Sequence, residues 1–104
     1  MEYSKSDWKL FQSRIGGWQE NYMERLNQEY VKLLTGDMHP SEKFWALDKC
    51  LHRDKKKPGV QLMLSKNEMG FQIAELIQDG AISFDELDDF SEELIHDVKF
   101  LLNR

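Results

Sequence analysis

The sequence predicts a single all-α domain, built as a small bundle of four or five helices. Apolar residues recur at spacings of three and four, and capping residues stand where helices would begin. Proline occurs only at positions 40 and 58, and glycine clusters where turns are expected. A chain of 104 residues matches one domain, so residues 1–104 are assigned to one helical domain with one core.

Composition excludes two classes of protein. Apolar residues make up 40% of the chain and charged residues 32%, which is too apolar for a disordered segment. The longest apolar run, 60–64, falls far short of the roughly 20 residues of a membrane span, so no membrane association is expected. The N-terminus lacks a secretory signal and Cys50 is the only cysteine, so we expect a cytoplasmic protein without an intramolecular disulfide.

The first helix is expected over about 7–35, with Ser6 as its cap. Gly16 and Gly17 interrupt it, at a cost of roughly 1 kcal/mol each relative to alanine. Two interpretations stay open, a break at this pair or one helix roughly 42 Å long. An unbroken helix would exceed what a small domain covers and would favour a dimer. The helical stripe comprises Trp8, Phe11, Ile15, Trp18 and Tyr22, and Leu26, Tyr30 and Leu33 continue it.

The second helix is expected over 40–57. His39 can cap it, and Pro40 suits its first position. Trp45 lies on a different part of the helix surface from its apolar face, so it is either a second buried contact or an exposed aromatic. The predicted apolar face consists of Phe44, Leu47 and Leu51.

The C-terminal half is expected to form a helical hairpin. Within 60–64, Val60, Leu62 and Leu64 alternate with Gln61 and Met63, which indicates a short extended segment or strand. Ser65 and Glu68 form a capping-box pattern, which predicts a helix over 66–79. Gly80 makes the turn, and a second capping box, formed by Ser83 and Glu86, predicts a helix over 84–102.

No metal site is expected. The stretch 79–87 resembles the second half of a calcium-binding EF-hand loop, but the first half would need oxygen ligands at Glu75, Ile77 and Asp79, and Ile77 has none. The closest pair of soft ligands is Cys50 and His52, which a helix turns to different faces. We therefore expect no metal and no cofactor.

No catalytic constellation is evident either. Cys50 and the serines lack an oriented base at a suitable spacing. The serines at positions 41, 65 and 83 are better explained as residues that start helices. We expect that the chain is not an enzyme.

Two charged clusters are the candidate binding surfaces. We interpret the acidic cluster as a solvated helix face that can bind a basic partner. We interpret the basic cluster as the end of a helix that can contact phosphates or an acidic surface. A net charge of −5 argues against nucleic acid. The acidic cluster comprises Asp88, Asp89, Glu92 and Glu93, and the basic one Arg53, Lys55, Lys56 and Lys57.

Aromatic residues make up 12% of the chain, and aromatics are favoured in cores and as interface anchors. Trp18 is assigned to the core. Trp8 and Trp45 are the candidate anchors for a partner.

The segments 40–47 and 54–60, which read PSEKFWAL and DKKKPGV, resemble small helical proteins of Gram-positive bacteria. The resemblance extends over most of the chain and implies a bacterial cytosolic origin. The group it points to brings no established activity or site residues.

Together these observations predict a small cytoplasmic helical protein that works without catalysis, as a protein–protein interaction or regulatory module. A homodimer is the expected form. The alternatives are a DNA-binding regulator that uses the basic helix 40–57, and an acidic decoy of a nucleic-acid-binding protein.

Overall fold

A computed structural model describes residues 2–104, and these contain four α-helices and no strand. The predicted all-α class is therefore confirmed. The helices are α1 (Lys5–Leu34), α2 (Pro40–Asp54), α3 (Met69–Gln78) and α4 (Glu92–Leu102), and a short 3₁₀ turn (Phe84–Leu87) precedes α4.

Helix α1 runs without a break through the glycine pair. It begins at Lys5 because the Ser4 side chain accepts a hydrogen bond from the Asp7 amide at 3.1 Å, so Ser4 and not Ser6 is the cap. Gly16 and Gly17 are exposed, and a Cβ atom at either would have no neighbour within 4 Å. The glycines lower the helix propensity without ending the helix, so the single-helix interpretation is correct.

The core lies between one face of α1 and the hairpin formed by α3 and α4. Its α1 residues are spaced by three and four, as the sequence predicts. Trp18 is buried among them, in agreement with its assignment to the core. The other half comes from the hairpin and its connection. The core comprises Phe11, Ile15, Trp18, Tyr22, Leu26, Met69, Ile73, Ala74, Leu76, Ala81, Ile82, Leu87, Phe90, Leu94 and Val98.

The turn that follows α3 depends on Gly80. This residue has φ of +77°, in the left-handed region that favours glycine. The amides of Ala81 and Ile82 both donate to the carbonyl of Leu76, at 2.9 and 3.4 Å, which closes the end of the helix. The predicted turn of the hairpin is confirmed.

Both predicted capping boxes are wrong. Ser65 does not cap α3, because this helix begins at Met69 rather than at 66. The Gln72 side chain instead accepts a hydrogen bond from the Ser65 amide and donates one to the Met63 carbonyl. Ser83 caps no α-helix, because 84–87 forms a 3₁₀ turn. The last helix begins at Glu92 and not at 84.

Ser91 sets this later start, because its side chain accepts from the Leu94 amide at 3.2 Å. Asp7 holds Ser91 in place. One carboxylate oxygen of Asp7 accepts from the Ser91 amide at 2.9 Å, and the other accepts from the Ser91 hydroxyl at 2.5 Å. Asp7 is buried, so these bonds satisfy a carboxylate removed from water and fix the start of α4 against α1.

The connection between α2 and α3 is irregular. Helix α2 ends at Asp54 and not at 57. Residues 60–64 form no strand, but the predicted alternation is present: Val60, Leu62 and Leu64 pack against the core, while Met63 is 91% exposed. The alternation therefore reflects one buried side of the segment, and the part of the chain that the structure describes contains no strand for it to pair with.

We expect Gly16→Ala to raise the free energy of unfolding by about 0.5–1 kcal/mol, because alanine loses less backbone entropy in a helix and meets no neighbour here. Gly80→Ala is the opposite control, and its positive φ predicts a loss of about 1–2 kcal/mol. Denaturant titration measures both. A loss of stability in Gly16→Ala would show that the glycine is needed in α1.

We expect Asp7→Ala to lower the free energy of unfolding by about 1–3 kcal/mol, since it leaves the Ser91 amide without its buried acceptor. Glu20→Ala, which removes an exposed acid in the middle of α1, should change it by less than about 0.5 kcal/mol. The same titration compares them. Equal effects would mean that the Asp7–Ser91 bonds contribute little.

Candidate functional site

Helix α2 contributes no apolar residue to the core. Phe44 and Trp45 are 64% and 65% exposed, and Leu51 is 37% exposed. The only buried residue of α2 is Asp54. The predicted apolar face of this helix exists, but most of it faces solvent, and for Trp45 the exposed alternative is correct.

The exposure of α2 follows from the length of α1. Thirty residues make a helix about 45 Å long, whereas α3 and α4, with 10 and 11 residues, are about 15 Å long. The last buried residue of α1 is Leu26, so the final two turns extend past the hairpin. The chain accordingly measures 51 × 27 × 22 Å. We call the part beyond Leu26, together with α2, the arm.

The arm carries six of the large apolar side chains that are exposed. The rings of Phe44 and Trp45 lie edge to face, with centroids 5.1 Å apart. An aromatic side chain carries about 150–250 Å² of surface, so these two leave roughly 200–300 Å² in water. The two rings alone approach the roughly 300–600 Å² of the largest apolar patch on a typical monomer, which is often functional. The arm surface, as we define it, comprises Val31, Leu34, Met38, Phe44, Trp45 and Leu51.

A small pocket of about 150 Å³ opens between α1 and α2. Leu51 belongs both to this pocket and to the arm surface. Val31 and Leu34 stand one helical turn beyond the lining residues Asn27 and Tyr30, and Phe44 stands two turns before Leu51, so these residues share the side on which the pocket opens. The pocket is lined by Met23, Leu26, Asn27, Tyr30, Leu51, Asp54, Lys55 and Val60.

Asp54 anchors the end of α2 to α1. Its carboxylate accepts from the Tyr30 hydroxyl at 2.5 Å and from the Arg53 Nε at 2.9 Å, and the Lys57 ammonium is 3.6 Å away. The hydrogen bond from Arg53 lowers the pKa of Asp54, and burial together with the bond to Asp54 raises the pKa of Tyr30. The Asp54 carboxylate, with its hydrogen bonds satisfied, thus holds α2 against α1, a role that apolar contacts play elsewhere in the bundle.

The predicted basic cluster is split by this anchor. Arg53 and Lys57 pair with Asp54, although Arg53 is itself exposed, whereas Lys55 and Lys56 are exposed and make no ion pair within residues 2–104. Two of the four candidate phosphate contacts therefore already neutralise a carboxylate of the chain.

The predicted acidic cluster is exposed, and one of its residues forms an ion pair. Asp89 accepts from Arg14 Nη2 at 2.6 Å. Glu92 and Glu93 lie in the first turn of α4, where the helix dipole favours negative charge. Within residues 2–104 no acid of this cluster pairs with the basic segment 49–57, so the structure does not bring the two charged clusters together.

The two candidate tryptophans differ in their surroundings. Trp8 is half-buried at the edge of the core, with its ring centroid 6.2 Å from that of Phe11. Trp45 stands in solvent on the arm. Of the two, Trp45 is the one available to a partner.

Three residues of the arm surface were not predicted from the sequence. Val31 falls off the stripe that Leu26, Tyr30 and Leu33 continue, Leu34 lies one turn after Tyr30, and Met38 lies in the loop before α2. An apolar residue out of phase with a buried stripe is the signal that could have found Val31. Nothing in the spacing distinguishes Met38.

A second, more open cleft of about 450 Å³ lies beside the Gly80 turn. Its cationic group, Arg25, donates to the Ala81 carbonyl at 2.9 Å and lies 5.4 Å from the centre of the Tyr22 ring. These contacts give Arg25 a structural role in holding the turn against α1. Among the described residues, no three potential ligand side chains lie close enough together to hold a metal ion.

Comparison with known proteins gives no match: no family model, no curated protein and no solved structure is similar to this chain. Within residues 2–104, no helix has both the length and the apolar character that a bilayer crossing requires.

The Asp54 anchor predicts a pH-dependent opening of α2. The pKa of Asp54 is lower in the folded state than the value of about 4 of an unfolded aspartate. Asp54 therefore stabilises the folded state at pH values above about 4, and this stabilisation is lost as the pH falls through the lower, folded pKa. We expect the amides of α2, corrected for intrinsic exchange, to lose protection against hydrogen exchange below about pH 4.

At neutral pH, Asp54→Asn should speed exchange in α2 by roughly tenfold or more, because a bond to a charged group is worth about 1.5–3 kcal/mol. The core of α1, around Ile15, is the internal control and should not change. If α2 in Asp54→Asn exchanges as in the parent protein, the carboxylate does not anchor the arm.

Proposed function

We propose that this chain is a non-catalytic protein–protein interaction module of the cytoplasm, which binds its partner through the arm surface. The single observation that carries the proposal is the exposure of Phe44 and Trp45 on a helix that contributes no apolar residue to the core. Aromatic residues that protrude beside an apolar pocket have the composition of an interface hot spot. The lone thiol, Cys50, suits a reducing compartment.

The anchoring of α2 to α1 supports this proposal. The Asp54 anchor fixes α2 on α1, so the aromatic pair is presented in one geometry before a partner arrives. Preorganisation of this kind reduces the entropy that binding must offset. An exposed but flexible segment would offer the same side chains at a larger entropic cost.

The two alternatives have less support. A DNA-binding regulator would use Arg53, Lys55, Lys56 and Lys57, but two of these side chains face Asp54 and the chain carries a net charge of −5. An acidic decoy would act through Asp88, Asp89, Glu92 and Glu93, of which Asp89 is paired with Arg14. Neither alternative explains the exposed aromatics.

We expect Phe44→Ser combined with Trp45→Ser to abolish specific protein binding. The tagged chain, expressed in its native host, is captured after brief cross-linking, and bound proteins, including untagged copies of the chain, are quantified by mass spectrometry. Phe100→Ser is the matched control, because Phe100 is 63% exposed and lies on α4, away from the arm.

The proposal expects at least one protein that is lost with the double variant and kept with the control. The same set of captured proteins from both variants would contradict the arm surface as the binding site. Capture of nucleic acid that depends on Lys55 and Lys56 would favour the DNA-binding alternative instead.

A further inference from the structure

The arm surface carries a protrusion and a recess on one side of the molecule. Phe44 projects into solvent, and the interhelical pocket lies next to Leu51. Leu51 is the seventh residue after Phe44, which places the two about 10 Å apart on the same side of α2. Asp54, Lys55 and Val60, which line the pocket, lie on the other side of Leu51 from Phe44.

The sizes of the two features match. A cavity of about 150 Å³ lined by apolar side chains accommodates benzene, which is the ring of phenylalanine. The pocket has a volume of about 150 Å³, and much of its lining is apolar: Met23, Leu26, Leu51 and Val60. The aromatic ring of a partner therefore suits this recess better than a charged group does.

The charges beside these features are also complementary to each other. Asp48 and Lys55 are exposed, lie seven residues apart on the side of α2 that carries Phe44 and Leu51, and make no ion pair within residues 2–104. A two-fold axis close to Leu51 would exchange the two positions, so that each Asp48 faces a Lys55 of the other copy. The same rotation brings each Phe44 over the pocket of the other copy. A surface that matches itself after a half-turn is the requirement for a symmetric dimer.

We propose that the arm surface is the interface of a two-fold symmetric homodimer, in which Phe44 of each subunit fills the interhelical pocket of the other. This inference rests on the proposed function, because it names a second copy of this chain as the partner of the same surface. A standard interface covers about 800 Å² on each subunit. Leu51 lies at its centre between the two Asp48–Lys55 pairs, and Phe44 of each subunit lies one turn farther out.

The test is sedimentation equilibrium of the full chain over a range of concentrations. We expect a monomer–dimer equilibrium, and we expect Phe44→Ala to raise the dimer dissociation constant by roughly thirtyfold or more, as for a hot-spot residue. Phe100→Ala is the control and should leave the constant unchanged. Because both side chains are exposed, circular dichroism should show that both variants keep the parental helix content.

A charge exchange tests the two-fold pairing itself. Asp48→Lys alone and Lys55→Asp alone each oppose like charges across the axis and should weaken the dimer. The combined change, D48K with K55D, restores opposite charges and should return the constant to near the parental value. An effect of Lys55→Asp on Asp54 of the same subunit would not be rescued by Asp48→Lys, so rescue is specific to the contact between subunits.

Three results would overturn the homodimer: a monomer at every accessible concentration, a dimer that Phe44→Ala leaves intact, or single charge variants without rescue by the double one. Retention of a monomer on anionic vesicles or DNA, lost in Phe44→Ala, would assign the surface to that ligand and also overturn it. A monomer that captures a host protein through the arm contradicts only this inference. A monomer without arm-dependent capture contradicts the proposed function as well.

Discussion

The length of α1 is the constraint on which the rest of the structure depends. A helix about 45 Å long is covered by a hairpin whose helices reach about 15 Å each, so the hairpin can bury only part of it. The buried stripe ends at Leu26, and everything that follows in α1 and α2 must find another way to be held. The division into a packed bundle and a protruding arm follows from this mismatch.

The two parts of the molecule are held together by different physical means. The bundle depends on apolar burial, supplemented by the Asp7–Ser91 bonds at its end. The arm depends on Asp54, a carboxylate whose desolvation is offset by Tyr30, Arg53 and Lys57. A buried charge of this kind is weak evidence for net stability, but it specifies one geometry because only a complete set of partners satisfies it. The aromatic residues of α2 are thereby left available for contacts outside the chain.

Much of the fold could be predicted from the sequence because its signals are local. The phase of the α1 stripe carried through Gly16 and Gly17, and Gly80 marked a turn that requires a positive φ. The start of α4 could not be predicted, because Ser83 and Ser91 are both good caps and the choice between them depends on Asp7, 84 residues before Ser91. The arm surface could not be predicted for a related reason. Periodicity identifies the apolar face of α2, but whether another helix covers that face depends on the lengths of all the helices together.

The contact between Asp7 and Ser91 also bears on how the chain is made. Synthesis proceeds from the N-terminus, so the apolar stripe of α1 leaves the ribosome long before the hairpin that covers it exists. The cluster that buries Phe11 and Ile15 is complete only when residues as late as Leu94 and Val98 have been added. The core of the bundle therefore closes only after the hairpin has been made, and until then the apolar stripe of α1 is exposed, as in the segments that chaperones bind.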